Sequence, residues 1–331
     1  MLVSRTPVLG IAHAYTIAQN GQISHIDHTF GCRTASLTRR QSATSAGVRG
    51  GCHTGAMTNE SATTASGPAT TDAPVTVTVE GAVALVMIDA AQTRNALSMP
   101  VMGALIDALT EIGERTDVHA VVLSTAGHVF CSGHDLKEIR GADHARQQEI
   151  FERCSQLMLL IQSIPQPVIA AVQGVATAAG CQLVATCDLA VAAESARFGT
   201  PGVRIGLFCS TPMVALSRAV PRKTAMRMLM TGDLLDAEQA LAFGLVSHVV
   251  ADDELAAAAS QVAQTVAEAS AATVAIGKQA FYQQIHLDTP GAYAQMSETM
   301  AANAVMPDAQ EGIDAFLTKR QPQWQHRTDG T

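Results

Sequence analysis

Three short runs constrain the fold most: AVVLST (120–125), VIAAV (168–172) and LAVAAE (189–194). Each is apolar or small at nearly every position, without the polar alternation of a half-exposed strand. Strands of this kind need both faces covered, which a parallel sheet flanked by helices provides. The segments between them carry helical spacing, so the repetition strand–helix–strand predicts an α/β fold. Upstream, VTVTVEG and VALVMID are parted by Gly81 and read as a hairpin. LSMPVMGALIDALTEIGER (97–115) reads as a helix, a short helix starts at Leu136, and residues 145–163 form a longer one stopping before Pro165 and Pro167. QGVATAAG reads as the exit loop of the 168–172 strand, and a helix carrying Gln182 follows. Beyond residue 210 the chain reads as mostly helical, with amphipathic segments at 210–219, 221–231, 252–270, 272–287 and 308–319.

This pattern divides the chain into a core over 73–262 and a helical oligomerisation region over 263–331. Residues 1–72 stand apart, being rich in Ser, Thr, Gly and Ala, with Arg33, Arg39, Arg40 and Arg49 and almost no acids. They read as a disordered N-terminal extension. Two origins fit: translated upstream sequence with Met57 as initiator, or a transit peptide that would send the protein to the mitochondrial matrix. Otherwise the expected location is the bacterial cytoplasm. Seven cysteines without a C-x-x-C pair read as reduced thiols, with no zinc site and no disulfide frame. A net charge of −8 and 4% aromatics disfavour nucleic acid and anionic membranes as partners. No apolar run approaches the roughly 20 residues needed to span a bilayer.

Chemistry concentrates in two loops, FCSGHD (130–135) and ATAAG (176–180). Each follows a predicted parallel strand, so neighbouring strands would open both on one sheet edge, where α/β ligands bind. Small residues let backbone approach a ligand, and the peptide N–H groups of His134 and Ala179 would converge there. Ala179 also stands at a helix start, with its partial positive charge. Two such donors suit a thioester carbonyl becoming an enolate. Asp135 and Glu138 read as helix-capping groups, and Cys131, Cys181 and Cys209 as buried packing. Arg218, Arg222, Lys223 and Arg227 read as a solvated helix face, with contact to a ligand phosphate as the sharper option. Gly199, Gly202 and Gly206 lack dinucleotide-binding spacing.

The blocks TRNALS (93–98), HVFCSGHDLKEI (128–139), GVATAAGCQLVATCDLAVAAESARFGTPGVRIG (174–206), RAVPRKTAMRMLMTGDLLDAEQALAFGLVSHVV (218–250) and EGIDAFLTKRQP (311–322) follow one another in a recognisable order. From about Val75 to Trp324 the chain resembles the enoyl-CoA hydratase/isomerase (crotonase) superfamily. The resemblance implies a spiral of ββα repeats, a helical C-terminal trimerisation region and a homotrimer or hexamer. It implies an acyl-CoA thioester as ligand, coenzyme A being part of the substrate and no separate cofactor being needed. It puts the oxyanion hole at His134 and Ala179, and acyl-CoA contacts at His134, Asp135, Leu136, Lys137 and Gly180. Phe316 and Lys319 match positions that reach a neighbouring subunit's coenzyme A.

The catalytic positions depart from the family pattern. Family hydratases carry two glutamates that position and activate water; here those positions are Gln182 and Gly202. Gln182 can hold water but exchanges no proton, and Gly202 has no side chain. The chain is thus nominally an enoyl-CoA hydratase of fatty-acid metabolism with hydration expected to be weak or absent. Restoring both glutamates is expected to raise hydration. Two alternatives stay open: a decarboxylase of a malonyl-type thioester, in which His134 grips the carboxylate, and a non-catalytic acyl-CoA binder. The SGHD form also occurs in the methylmalonyl-CoA decarboxylase branch, whose tyrosine is replaced here near Phe208–Cys209.

Overall fold

A computed structural model describes residues 73–326. The expectation of a disordered extension over 1–72, with its alternative start at Met57, lies outside the described residues, as do 327–331. In chain order the elements are β1 (Val75–Glu80), β2 (Val83–Ile88), α1 (Met99–Gly113), β3 (Ala120–Thr125), α2 (Leu136–Ile139), α3 (His144–Ser163), β4 (Val168–Val172) and β5 (Val175–Thr177). They continue with α4 (Ala179–Thr186), β6 (Leu189–Ala193), β7 (Arg197–Gly199), α5 (Ser210–Ala219), α6 (Arg222–Thr231), β8 (Leu234–Asp236), α7 (Ala237–Ala242) and β9 (His248–Val250). Four helices close the chain: α8 (Leu255–Ala267), α9 (Ala271–Gln284), α10 (Thr289–Ala304) and α11 (Pro307–Thr318). Among the described residues no helix is long and apolar enough to cross a membrane.

The main sheet runs β1-β2-β3-β4-β6-β9. Its first pair is the expected antiparallel hairpin and all later pairs are parallel. Side chains alternate faces along each strand, and this sorts the core into two layers. Val86, Val121, Leu123, Ala170 and Ala192 pack beneath α1, α3 and α4. Val122, Ile169, Ala171, Val191 and Ala193 pack beneath Leu255, Ala259 and Ala263 of α8. The uninterrupted apolar strands are therefore buried on both faces, as their composition requires. Helix starts follow capping chemistry: Ser98 accepts from Val101 N at 3.4 Å, and Asp143 from Arg146 N at 2.9 Å.

Several sequence expectations need correction. The 174–180 stretch is more than an exit loop, because β5 pairs with β7, which pairs with β8, in a second sheet. Such three-residue strands carry too short a pattern to read from composition. The boundary at 262/263 falls inside α8, which belongs to the core because it covers one sheet face. Helix α10 was missed because none of its residues is buried, so no apolar stripe marks it.

Candidate active site

The second sheet brings the two chemically suggestive loops together. Cys131 forms a parallel bridge with Ala176, and Leu97 forms one with His134. Cys131 N donates to Val175 O at 3.1 Å and Thr177 N to Cys131 O at 2.9 Å. Leu97 N donates to Gly133 O at 2.8 Å, and Ala178 N to Gly199 O at 2.9 Å. The segments 94–97, 131–134, 175–178 and 197–199 thus run side by side as the floor of the site.

Glycine allows that approach at two points. Gly133 has φ +99°, and a Cβ there would lie 2.9 Å from the Ala178 methyl and 3.4 Å from Ala179 N. A Cβ on Gly180 would overlap the Cys131 carbonyl oxygen. Gly180 therefore seats the start of α4 directly on the Cys131 backbone. Ala178 precedes the helix with φ 51° and ψ −117°, a conformation that costs a non-glycine residue on the order of 1–3 kcal/mol. Among the described residues, the backbone N–H groups of His134 and Ala179 have no hydrogen-bond partner. Two unused donors on adjoining segments, one opening a helix, can polarise a carbonyl oxygen.

A cavity of about 500 Å³ opens beside this floor. His134, Ala178 and Gly202 line it, with Leu136, Phe151, Ile205, Leu207, Phe208 and Cys209 among the other wall residues. The His134 ring meets Phe151 edge-on, 5.2 Å between centroids. Among the described residues its Nε2 is buried without a partner, and burial pushes the imidazole pKa down to about 4. His134 is therefore neutral at ordinary pH. The charged wall residue Arg204 is already engaged, donating to Thr231 O and Asp233 Oδ1, both at 3.0 Å.

Gln182 and Gly202 do not meet in this cavity. Gln182 is 4% exposed, and its Oε1 lies 3.9 Å from Cys154 Sγ on α3. It lines a separate cavity of about 770 Å³, toward the far end of α4. Gly202 does line the 500 Å³ cavity, but a Cβ there would overlap the Leu207 carbonyl oxygen and lie 2.8 Å from Cys209 Sγ. The cause is local: Pro201–Ile205 forms a 3-10 helix, Gly206 turns back with φ 76°, and Leu207 N donates to Gly202 O at 3.0 Å. The loss at 202 is thus built into the backbone, which fills the space a side chain would need. A glutamate introduced at 202 would therefore meet backbone at its first side-chain atom.

Neighbouring carboxylates are committed elsewhere. Asp135 Oδ1 accepts from Lys137 N at 2.9 Å and caps α2. Glu138 accepts from Met99 N at 3.0 Å, closing the start of α1. Burial pushes the Cys131, Cys154 and Cys181 thiols up to about 12 and raises Cys209 as well. None is poised as a thiolate. Leu136 reaches the cavity wall, whereas Lys137 is exposed. Phe316, 84% exposed, and Lys319 lie on the outer surface of α11 and its cap, away from this cavity.

Sequence reading missed Asn95. It is fully buried at φ 51°, its Nδ2 donates to Ala126 O and Val129 O at 2.7 Å, and its Oδ1 accepts from Ala90 N at 3.0 Å. This amide ties the loop after β3 to the loop after β2, and so holds the His134 segment in place. A single Asn inside TRNALS is the only trace of it in the sequence.

Comparison with known proteins agrees with this geometry. Residues 78–327 match the family described as enoyl-CoA hydratase/isomerase. The chain is 48% identical over 234 residues to rat (Rattus norvegicus) "Enoyl-CoA hydratase domain-containing protein 3, mitochondrial", covering 70% of this chain and 78% of the relative. It superposes on a crystal structure of a Mycobacterium smegmatis enoyl-CoA hydratase with a TM-score of 0.74 and 46% identity, over 76% of this chain and 98% of that one. The human enoyl coenzyme A hydratase domain-containing protein 3 gives the same TM-score at 43% identity, over 76% and 100%. With its interleaved sheets, its paired backbone donors and a family match over most of its length, this chain belongs to the enoyl-CoA hydratase/isomerase family, the crotonase superfamily.

Proposed function

We propose that this protein binds acyl-CoA thioesters with the carbonyl oxygen held between the His134 and Ala179 N–H groups, and does not hydrate them at the rate of a competent hydratase. The observation that carries the reading is the Leu207 carbonyl, which fills the space beside Gly202, while the His134 and Ala179 N–H groups have no partner among the described residues. The thioester-polarising half of the chemistry is present and the water-activating half is absent. Each missing acid–base group costs typically ~10²–10⁴ in rate, and the two penalties need not multiply. The test is to measure crotonyl-CoA binding and hydration on the same preparation.

Decarboxylation of a malonyl-type thioester is the second reading, favoured by the unpartnered Nε2 of His134. A neutral imidazole can donate one hydrogen bond to a carboxylate but supplies no fixed positive charge. Release of CO₂ from methylmalonyl-CoA, lost in His134→Ala, would support it. For assembly we propose a homotrimer or a pair of trimers. The rat relative is named as mitochondrial, and residues 1–72 have a transit-like composition. Import of a reporter fused to those residues distinguishes the mitochondrial from the cytoplasmic location.

A further inference from the structure

The wall chemistry of the 500 Å³ cavity defines which acyl group it suits. Leu136, Phe151, Ile205, Leu207, Phe208 and Pro212 make most of the wall. They come from α2, α3, the 3-10 turn and the start of α5, so apolar surface lines several sides of an open cavity. Its polar side chains are hydroxyls (Ser132, Ser210, Thr211), the neutral His134 and the already paired Arg204. The one cation of this lining, Arg204, is held by Thr231 O and Asp233 Oδ1. A carboxylate placed here would lose hydration and meet only one cation, which it would have to share with Asp233. An aliphatic chain would exchange water for apolar contact along its length.

The volume bears on chain length. A methylene group takes up about as much space as a water in the liquid, roughly 30 Å³. A four-carbon acyl group would therefore fill only a fraction of the 500 Å³ available, and the remaining apolar wall would stay wet. Leu136, Ile205 and Leu207 are all left exposed around it.

We propose that this site selects medium-length, uncharged, aliphatic acyl thioesters, about eight carbons or longer, and rejects acyl groups that carry a second carboxylate. The proposal rests on the thioester-binding reading above and adds what lies beyond the thioester. Tight binding of malonyl-CoA would favour the decarboxylase reading instead.

The experiment is a calorimetric competition series on the full chain with free coenzyme A, butanoyl-CoA, octanoyl-CoA and malonyl-CoA. Octanoyl-CoA should bind ~10- to 200-fold more tightly than butanoyl-CoA, the upper figure corresponding to four fully buried methylenes. Malonyl-CoA should bind no more tightly than butanoyl-CoA. Thr211→Phe and, separately, Phe151→Trp add bulk to two different walls, and each should lower the octanoyl-to-butanoyl ratio. Thr211→Phe serves alone if the tryptophan variant fails to fold. Equal affinity for octanoyl- and butanoyl-CoA, both above free coenzyme A, would overturn the proposal and leave thioester binding intact. So would malonyl-CoA as the tightest ligand. Acyl thioesters binding no better than free coenzyme A would overturn the thioester-binding reading itself.

Discussion

At Gly202 the backbone itself leaves no room for a side chain. A missing glutamate suggests simple replacement, yet the Leu207 carbonyl and Cys209 Sγ crowd the position where any Cβ would sit. Gly202→Glu should therefore lower the melting temperature and leave crotonyl-CoA hydration at the parent rate. Such overpacking typically costs ~1–3 kcal/mol. A thermal melt and a hydration assay on one sample check this, and a stable variant with raised hydration would contradict it. His134 gives a second prediction at this scale. Unfolded, its imidazole takes a proton near pH 6.5; folded, burial holds its pKa down to about 4. Between those values the unfolded state binds more protons, so this contribution to stability falls as pH drops from about 6.5 toward 4 and is constant above that window. The total is at most roughly 3 kcal/mol. Urea-unfolding stabilities of the parent and His134→Phe should differ by an amount that changes within that window and stays level above it. Parallel pH profiles would contradict the assignment.

At the scale of elements, the C-terminal helices are fastened to the core by a buried ion pair. Lys278 of α9 lies 2.8 Å from Asp188 Oδ2 and donates to Ile161 O at 2.7 Å and Gln166 O at 2.9 Å. Tyr282 OH donates to Asp188 Oδ1 at 2.9 Å. Lys278→Ala leaves Asp188 without its cation and should cost about 3–5 kcal/mol, read by denaturant unfolding. A change within experimental error would show that α9 is held by other contacts. None of this pairing was legible in the sequence, because Asp188 and Lys278 lie far apart in the chain. The strands β3, β4 and β6 were legible, since burial on both faces leaves an unbroken apolar run. So were α1 and α3, whose apolar stripes recur at helical spacing. The loops carrying His134 and Ala179 were legible through their small residues, and the second sheet supplies their juxtaposition. Short strands β5, β7 and β8 were not, because pairing partners set their conformation rather than any pattern of their own. The turn of Gln182 toward Cys154 and the closure of Leu207 over Gly202 depend on tertiary packing and leave no local signal.

Across the whole molecule, the helical C-terminal region carries apolar side chains that its own fold leaves uncovered. Phe281, Tyr293, Met300, Val305, Phe316 and Leu317 are all exposed on α9–α11 and the turn after α10. Light scattering at micromolar concentration should return three or six copies, and a chain shortened after residue 270 should lose that assembly. A monomeric full-length chain would contradict the expectation. The central claim is that this protein retains a thioester cradle without the means to activate water. Crotonyl-CoA binding and hydration, followed on one preparation beside a competent hydratase, test it most directly. Crotonyl-CoA should bind more tightly than free coenzyme A while its hydration runs at least ~10²-fold slower than in the competent enzyme. Hydration at the competent enzyme's rate would contradict it.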